Sequence, residues 1–117
     1  MEPDTMQFAA PPQLIVASPQ ARGRVVALVR ATTRIGRDTG NDLVLESDLV
    51  SRRHAVLRIE GGVVVLEDLD STNGTWVNGS RVRRRVLADH DEVELGECML
   101  RFVEGPAGSV NSAMAHM

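Results

Sequence analysis

The fold is decided by the stretch from Arg34 to Gly79, which reads RIGRDTGNDLVLESDLVSRRHAVLRIEGGVVVLEDLDSTNGTWVNG. Short runs of valine, leucine and isoleucine alternate there with loops of glycine, asparagine, aspartate, serine and threonine. β-branched residues favour strands, and the loop residues favour tight turns. The stretch therefore predicts strands that aim polar loops at the edges of a sheet.

The same pattern continues on both sides of this stretch. No window holds an apolar period of 3.6 residues for three turns, so no helix is predicted. Gly61-Gly62 and Asn78-Gly79 each separate two strand-like runs and predict two-residue hairpin turns. The predicted strands are Gln13–Ala17, Arg24–Arg30, Thr32–Arg37, Leu43–Leu45, His54–Glu60, Val63–Leu69, Thr75–Val77, Arg81–Leu87, Glu92–Leu95 and Cys98–Glu104. Short strands at this regular spacing predict an all-β sandwich, with the second strand in its interior.

Composition narrows the class of partner. The 13 basic residues, all arginine, face 16 acidic ones, and this net charge of −3 argues against nucleic acid as the main partner. Cys98 is the single cysteine, so neither an intrachain disulfide nor a zinc site is expected. No run approaches the roughly 18 apolar residues of a membrane span. We expect a cytoplasmic monomer without a metal, another cofactor or a membrane contact.

Five loop residues are candidates for binding: Arg37, Ser51, Arg52, Thr72 and Asn73. Their guanidinium, hydroxyl and carboxamide groups would form a donor-rich patch, which suits a tetrahedral oxyanion better than it suits catalysis. Each also has a plainer interpretation. Arg37 could be a solvated charge at a strand end, and Ser51 and Thr72 could be turn hydroxyls that bond their own backbone. The residues alone leave both interpretations open.

Four short motifs occur in a distinctive order, and together they resemble the forkhead-associated (FHA) domain. They are Gly36-Arg37, Ser51-Arg52-Arg53-His54, Ser71-Thr72-Asn73-Gly74 and Asn78-Gly79. The resemblance covers about residues 13–104. It implies an eleven-strand antiparallel β-sandwich that binds phosphothreonine peptides through loops at one end. A Ser/Thr kinase would phosphorylate the threonine of the partner protein. Residues 1–12 would then form a flexible leader and residues 105–117 a flexible tail, around a module without catalytic activity.

The resemblance also implies a role for each candidate. Ser51 and Arg52 would hold the phosphate with Thr72 near it. Arg37 would bind the phosphate or the adjacent peptide backbone, and Asn73 would bracket the peptide main chain. These five residues form the predicted phosphopeptide site.

A second set of residues is predicted to support this site. Gly36, Gly74 and Gly79 are interpreted as positions where the chain bends or where a Cβ would collide. His54, three residues after Ser51, is interpreted as a buried hydrogen-bonding support for the loop of that serine. Asn78 completes the turn motif with Gly79.

Leu49 is predicted to influence specificity. In relatives that select an acidic side chain three residues after the phosphothreonine, an arginine lies two positions before the phosphate-binding serine. Leu49 occupies that position here, so an apolar residue is expected instead. A small pocket beside the loop of Asn73 would seat the γ-methyl group of phosphothreonine.

The sequence also leaves several alternatives open. A hydrolase built on Ser51, His54 and Asp70 is disfavoured because the sequence has no Gly-x-Ser-x-Gly elbow. An FHA fold could instead serve as a structural or oligomerisation unit that binds independently of phosphate. The Arg83–Arg85 run is expected to be one solvated strand, with its first and third arginines on one face. A phosphorylated Thr5 in the leader would offer a ligand on the same chain, although an unmodified linker threonine is the plainer interpretation.

Overall fold

The computed structural model of the protein describes residues 11–18 and 22–104. The predicted tail, nearly all of the predicted leader with Thr5, and residues 19–21 of the first turn lie outside the described residues. The domain boundaries therefore remain predictions.

Within the described ranges the chain forms eleven strands and no helix. A six-stranded sheet has the order β2-β1-β11-β10-β7-β8, and a five-stranded sheet has the order β4-β3-β5-β6-β9. The strands are β1 (Gln13–Val16), β2 (Val25–Ala27), β3 (Thr32–Gly36), β4 (Leu43–Val44), β5 (Ala55–Glu60), β6 (Val63–Asp68), β7 (Thr75–Val77), β8 (Ser80–Val82), β9 (Arg84–Val86), β10 (Glu92–Leu95) and β11 (Cys98–Val103). The prediction of an all-β, eleven-strand sandwich is confirmed.

One strand pair departs from the predicted antiparallel pattern. Strand β4 lies parallel to β3, with Ile35 opposite Leu43 and Gly36 opposite Val44. The loop between them folds back along β3, where the Asp42 N–H donates to the Arg34 carbonyl. Strand β4 is two residues long, and it brings its loop close to the end of β3.

The predicted strand Arg81–Leu87 is wrong, because the chain changes sheets within it. Strand β8 pairs with β7 in one sheet, whereas β9 pairs with β6 in the other. Arg83 lies in the link, where its carbonyl accepts a hydrogen bond from the Asp68 N–H at 2.8 Å. Arg83 and Arg85 therefore do not share one continuous strand. A run of three arginines carries no apolar alternation that would have marked the break.

The second predicted strand is also corrected. Only Val25–Ala27 of Arg24–Arg30 pairs, and it forms an edge strand rather than an interior one. Val25 is 53% exposed, and Leu28 is the residue of this segment that enters the core. Valine favours a strand, but valine alone does not say whether that strand lies at the edge or inside.

The core lies between the two sheets and is built from alternate residues of most strands. Leu14, Leu100 and Phe102 enter it from the six-stranded sheet, and Leu57 and Leu66 enter it from the five-stranded one. Each fully buried side chain of this size contributes about 1.5–3 kcal/mol. This core holds the strand ends in place, and the loops project from them.

Both predicted hairpin turns are confirmed, and both lie at the same end of the sandwich. Gly61 and Gly62 have φ of 57° and 85°, and Asn78 and Gly79 have φ of 50° and 87°. Two consecutive positive φ values are the requirement of a type I′ turn. We call the end of the sandwich that holds these two turns the far end. The opposite end, where β3 finishes and β5 and β7 begin, is the site end.

Candidate functional site

Three loops meet at the site end. They connect β3 to β4 (37–42), β4 to β5 (45–54) and β6 to β7 (69–74). Strand β5 is antiparallel to both β3 and β6, so the end of β3, the start of β5 and the end of β6 lie side by side. All five predicted binding residues lie on these loops, and the structure brings the loops together through the contacts below.

The first two loops are joined through their backbones. The Arg37 N–H donates to the Ser51 carbonyl at 3.0 Å, and the Asp38 N–H donates to the Arg52 carbonyl at 3.2 Å. The Asn41 Nδ2 donates to the same Arg52 carbonyl at 2.7 Å. The backbone of Arg52 is thus fixed by two donors, while its side chain is exposed.

Gly36 lies where these two loops approach most closely. A Cβ at this position would stand 2.1 Å from the Arg52 carbonyl oxygen and 2.8 Å from the Asn41 Nδ2. No side chain fits there. The φ of Gly36 is not in the left-handed region, so the glycine is needed for the close approach rather than for its backbone angles.

Arg37 is anchored at one nitrogen, and within residues 11–18 and 22–104 its other side-chain nitrogens have no partner. Its Nε donates to the Val50 carbonyl at 3.0 Å, and the residue as a whole is exposed. The guanidinium has five N–H donors in a planar fork, so four remain on the two terminal nitrogens. Anchoring at Nε orients this fork without consuming the pair of donors that would meet an oxyanion.

Ser51 connects the second loop with the third. Its Oγ accepts a hydrogen bond from the Thr72 N–H at 3.0 Å. An oxygen that already accepts from one side is oriented, and its own hydrogen is left to donate elsewhere. The side chain of Thr72 is exposed beside it.

His54 lies beneath these residues and is 0% exposed. Its Nδ1 accepts from the Ser51 N–H at 3.0 Å, and its Nε2 lies 2.9 Å from the Gly74 carbonyl. Nδ1 must therefore carry the lone pair and Nε2 the hydrogen, which makes the ring neutral. Burial lowers the pKa of His54, and this effect outweighs the Gly74 carbonyl and the Asp68 carboxylate, which act to raise it.

Asn73 reaches across from the third loop to the second. Its Nδ2 donates to the Leu49 carbonyl at 2.8 Å, and its backbone carbonyl accepts from the Trp76 Nε1 at 3.2 Å. The first contact orients the exposed carboxamide and leaves its Oδ1 and second N–H without a partner in the described chain.

Asp68 organises the third loop, and sequence reasoning missed it. Its carboxylate accepts from the Ser71 Oγ at 2.5 Å and from the Thr75 Oγ1 at 2.7 Å, while the Ser71 Oγ accepts from the Gly74 N–H at 3.0 Å. Burial acts to raise the pKa of Asp68, but these hydrogen bonds, the Ser71 N–H and nearby His54 outweigh it and lower the pKa. The spacing Asp-x-x-Ser, typical of a side chain capping a turn, was the available signal.

Leu49 lies on the second loop and is 48% exposed. The β10–β11 turn supports it from below, because a Cβ on Gly96 would stand 2.6 Å from the Leu49 carbonyl oxygen. The Ser47 Oγ donates to the Glu97 Oε2 at 2.7 Å and ties the same loop to that turn. No short-range signal links these residues, which lie 50 positions apart.

Two of the predicted supporting residues are not brought to this site. Asn78 and Gly79 form the β7–β8 turn at the far end, where the Asn78 Nδ2 donates to the Asp91 Oδ1 at 2.9 Å. Gly74 does lie at the site end, with φ of 88°, and a Cβ there would stand 2.7 Å from the Arg81 Nε.

The contacts do not place Ser51, His54 and Asp70 in the arrangement of a catalytic triad. Both ring nitrogens of His54 are engaged by backbone groups, and Asp70 is 90% exposed at its side chain and points to Arg83, 3.8 Å away. Among residues 11–18 and 22–104, no group of three His, Cys, Asp or Glu side chains could hold a metal ion. The part of the chain that the structure describes also contains no helix long and apolar enough to cross a membrane.

Comparison with known proteins decides the family. The model of the FHA domain matches residues 33–96, more than half of the chain. The chain belongs to the FHA-domain family. The glycogen accumulation regulator GarA of Mycolicibacterium smegmatis is 42% identical over 93 residues, which are 80% of this chain and 58% of that protein. The chain thus spans less than two thirds of the length of this curated relative.

Solved FHA-domain structures agree with the fold. A domain described in a study of phosphothreonine-dependent FHA domain interactions superposes with a TM-score of 0.75 at 36% identity, covering 81% of this chain and 97% of that one. EmbR of Mycobacterium tuberculosis, solved in complex with a low-affinity phosphopeptide, gives a TM-score of 0.76 at 37% identity, covering 82% of this chain and 25% of EmbR. Of these two relatives, EmbR binds a phosphopeptide, and the other comes from a study of phosphothreonine-dependent interactions.

Proposed function

We propose that this chain binds phosphothreonine peptides at its site end and thereby mediates phosphorylation-dependent protein–protein interactions in signalling. One observation carries the proposal. Arg37 and Ser51 have their backbones fixed by bonds between loops, and each keeps side-chain donors that no partner in the described chain uses. Arg52, with its carbonyl held by Asn41, adds a second exposed guanidinium.

The chemistry of the ligand matches these donors. A phosphothreonine carries a charge of about −1.5 to −2 and three acceptor oxygens. A charge-assisted hydrogen bond contributes roughly 1.5–3 kcal/mol. Three such bonds would supply much of the roughly −8 kcal/mol that corresponds to micromolar affinity.

Each residue then has a role that follows from its contacts. The Ser51 hydroxyl donates to a phosphate oxygen, because its own oxygen is already occupied by the Thr72 N–H. The terminal nitrogens of Arg37 and the guanidinium of Arg52 neutralise the phosphate or bind the adjacent peptide backbone. Asn73 brackets the peptide main chain with the amide atoms that its contact with Leu49 leaves outward.

The module is a binding protein rather than an enzyme, and it acts in the cytoplasm. Support comes from the neutral, fully engaged His54 and from two relatives of the chain, a regulator of glycogen accumulation and an inhibitor of oxoglutarate dehydrogenase. The second candidate is a structural or oligomerisation unit that ignores phosphate. The outward donors of Arg37 and Ser51 disfavour it, since such a unit has no need of them.

The experiment is calorimetric titration of the folded chain with one threonine peptide in phosphorylated and unphosphorylated forms. Only the phosphorylated form should bind. Arg37→Ala and Ser51→Ala should each weaken binding at least tenfold, about 1.4 kcal/mol, while the fold is retained. Ser80→Ala, which removes an exposed hydroxyl on β8, is the matched control. Unchanged affinity in both site variants would contradict the assignment.

Specificity provides a second measurement. Phosphothreonine should bind about fourfold more tightly than phosphoserine in the same peptide, because burying one methyl group yields about 0.8 kcal/mol. Leu49 should favour an apolar residue three positions after the phosphothreonine. Leu49→Arg should reverse that choice towards an acidic residue, as measured with peptides that differ only at this position. Strong selection of aspartate by the unaltered chain would overturn the role of Leu49.

A further inference from the structure

An arginine-lined groove lies on the outer face of the five-stranded sheet, beside the site end. Its lining includes Arg34 of β3, Arg53 of the β4–β5 loop and Arg58 of β5. Asp38 is the one acidic residue of this lining, so three positive charges face one negative charge. The whole chain has a net charge of −3. A positive groove on a negative protein attracts anionic groups against the overall field.

The charges of this groove are only partly compensated. Arg58 forms an ion pair with Glu67. In the described part of the chain, the guanidinium groups of Arg34 and Arg53 make neither an ion pair nor a hydrogen bond. Because Arg34 lies opposite Val56, it is a diagonal neighbour of Arg58 on the same face of the sheet. Like charges at such spacing repel, and an anionic ligand between them would relieve the repulsion.

The groove is continuous with the phosphopeptide site. Arg53 directly follows Arg52, and Asn41, which also lines the groove, donates to the Arg52 carbonyl at 2.7 Å. One loop therefore forms a wall of both. Leu69, at the start of the third site loop, adds an apolar side chain that is 38% exposed.

We infer that this groove binds an acidic segment of the same phosphoprotein, outside the residues that contact the phosphothreonine. The inference rests on the proposed function, since the phosphothreonine would hold the segment nearby. Carboxylates would pair with Arg34 and Arg53, and the aliphatic stems of the segment would pack against the exposed side chain of Leu69. A polypeptide suits this mixture of arginines and apolar side chains better than a nucleic-acid backbone does, because Asp38 would repel a continuous run of phosphates.

Calorimetry with matched peptides tests the groove. A short phosphothreonine peptide is compared with versions that carry three added glutamates, or three added glutamines, either before or after it. The additions lie beyond the position that Leu49 would read. At low ionic strength, the three-glutamate extension in one of the two positions should raise the affinity by about five- to tenfold over the matching glutamine extension. A salt concentration of 0.5 M should remove most of this gain.

Variants then locate the effect. Arg34→Gln combined with Arg53→Gln should abolish the glutamate gain and leave affinity for the short peptide unchanged. Arg24→Gln combined with Arg101→Gln is the control, because it also removes two charges, both from exposed residues outside the groove. The inference is overturned if the gain persists in the double variant or if the unaltered chain shows no gain. In either case, binding of the short peptide would leave the proposed function standing.

Two further measurements separate this inference from the proposed function. The unphosphorylated glutamate peptide should bind weakly and lose that binding in the double variant, which reports on the groove even if no phosphothreonine peptide binds. A single-stranded oligonucleotide of equal charge should bind no more tightly than this peptide. Tighter oligonucleotide binding that depends on Arg34 and Arg53 would assign the groove to nucleic acid and overturn the inference.

Discussion

The two ends of the sandwich are closed in different ways. At the far end, Gly61-Gly62 and Asn78-Gly79 close their hairpins with backbone geometry that belongs to the two turn residues themselves. At the site end, the loops hold one another through bonds such as Thr72 N–H to Ser51 Oγ and Asn73 Nδ2 to the Leu49 carbonyl. These bonds join residues 21 and 24 positions apart.

The difference shows what fixes the positions of the hydrogen-bond donors at the site end. The Gly61-Gly62 turn shows the contrast most clearly: a Cβ on either residue would meet nothing within 4 Å, so this turn can vary without disturbing a distant group. The site loops depend on each other, and a change in one should move the donors on the others. We therefore expect substitutions at the site end to alter stability and binding together, and substitutions at the far end to alter stability alone.

The largest effect is expected for Gly36→Ala. Its new Cβ would overlap the Arg52 carbonyl oxygen, 2.1 Å away, so two backbones must separate. We expect a loss of about 3 kcal/mol in the free energy of unfolding, with loss of phosphopeptide binding. Gly40→Ala in the same loop is the control, because a Cβ there meets nothing within 4 Å. Equal stability of the two variants in urea unfolding would show that the close approach at Gly36 does not hold the site end together.

His54→Ala should come next. It removes a fully buried ring and leaves the Ser51 N–H and the Gly74 carbonyl without their partner. We expect a loss of about 2–3 kcal/mol, with a lower melting temperature and weaker phosphopeptide binding measured on the same sample. Loss of binding at unchanged stability would mean that His54 contacts the ligand instead of supporting the loop.

The pH dependence of stability should be smaller. Because burial lowers the pKa of His54 in the folded chain, the unfolded chain takes up a proton first as the pH falls below about 6.5. The free energy of unfolding should then decrease by no more than about 1.4 kcal/mol per pH unit, and it should be constant above that range. His54→Gln should flatten this slope in urea titrations between pH 5.5 and 7.5. An unchanged slope would exclude His54 as its source.

The smallest effect is expected for Gly62→Ala at the far end. Its φ of 85° strains any other residue, although a Cβ there would meet nothing within 4 Å. We expect a cost of about 1 kcal/mol in unfolding and no change in phosphopeptide affinity. A measurable drop in affinity would show that the two ends are coupled through the sheets.

The comparison also explains what the sequence could predict. Both far-end turns were predicted because Gly-Gly and Asn-Gly act through their own backbone angles. The site loops were predicted as loops, but the bond of Asn41 to the Arg52 carbonyl and the position of Gly96 beneath Leu49 join distant segments. No short-range pattern reports such a contact. The change of sheet at Arg83 was not predicted for the same reason, because the whole sandwich determines which strand each segment pairs with.

The pairing of β1 with β11 has a mechanical consequence. Gln13 and Val103 face each other across these two strands at the far end, about 5 Å apart by the usual spacing of antiparallel pairs. Tension applied through these two residues would act across the strands, parallel to their hydrogen bonds. The backbone hydrogen bonds between the two strands would break one after another, beginning at Gln13 and Val103. This strand pair would therefore separate from the far end under low force, and its last residues to separate would be Val16 and Leu100, towards the site end.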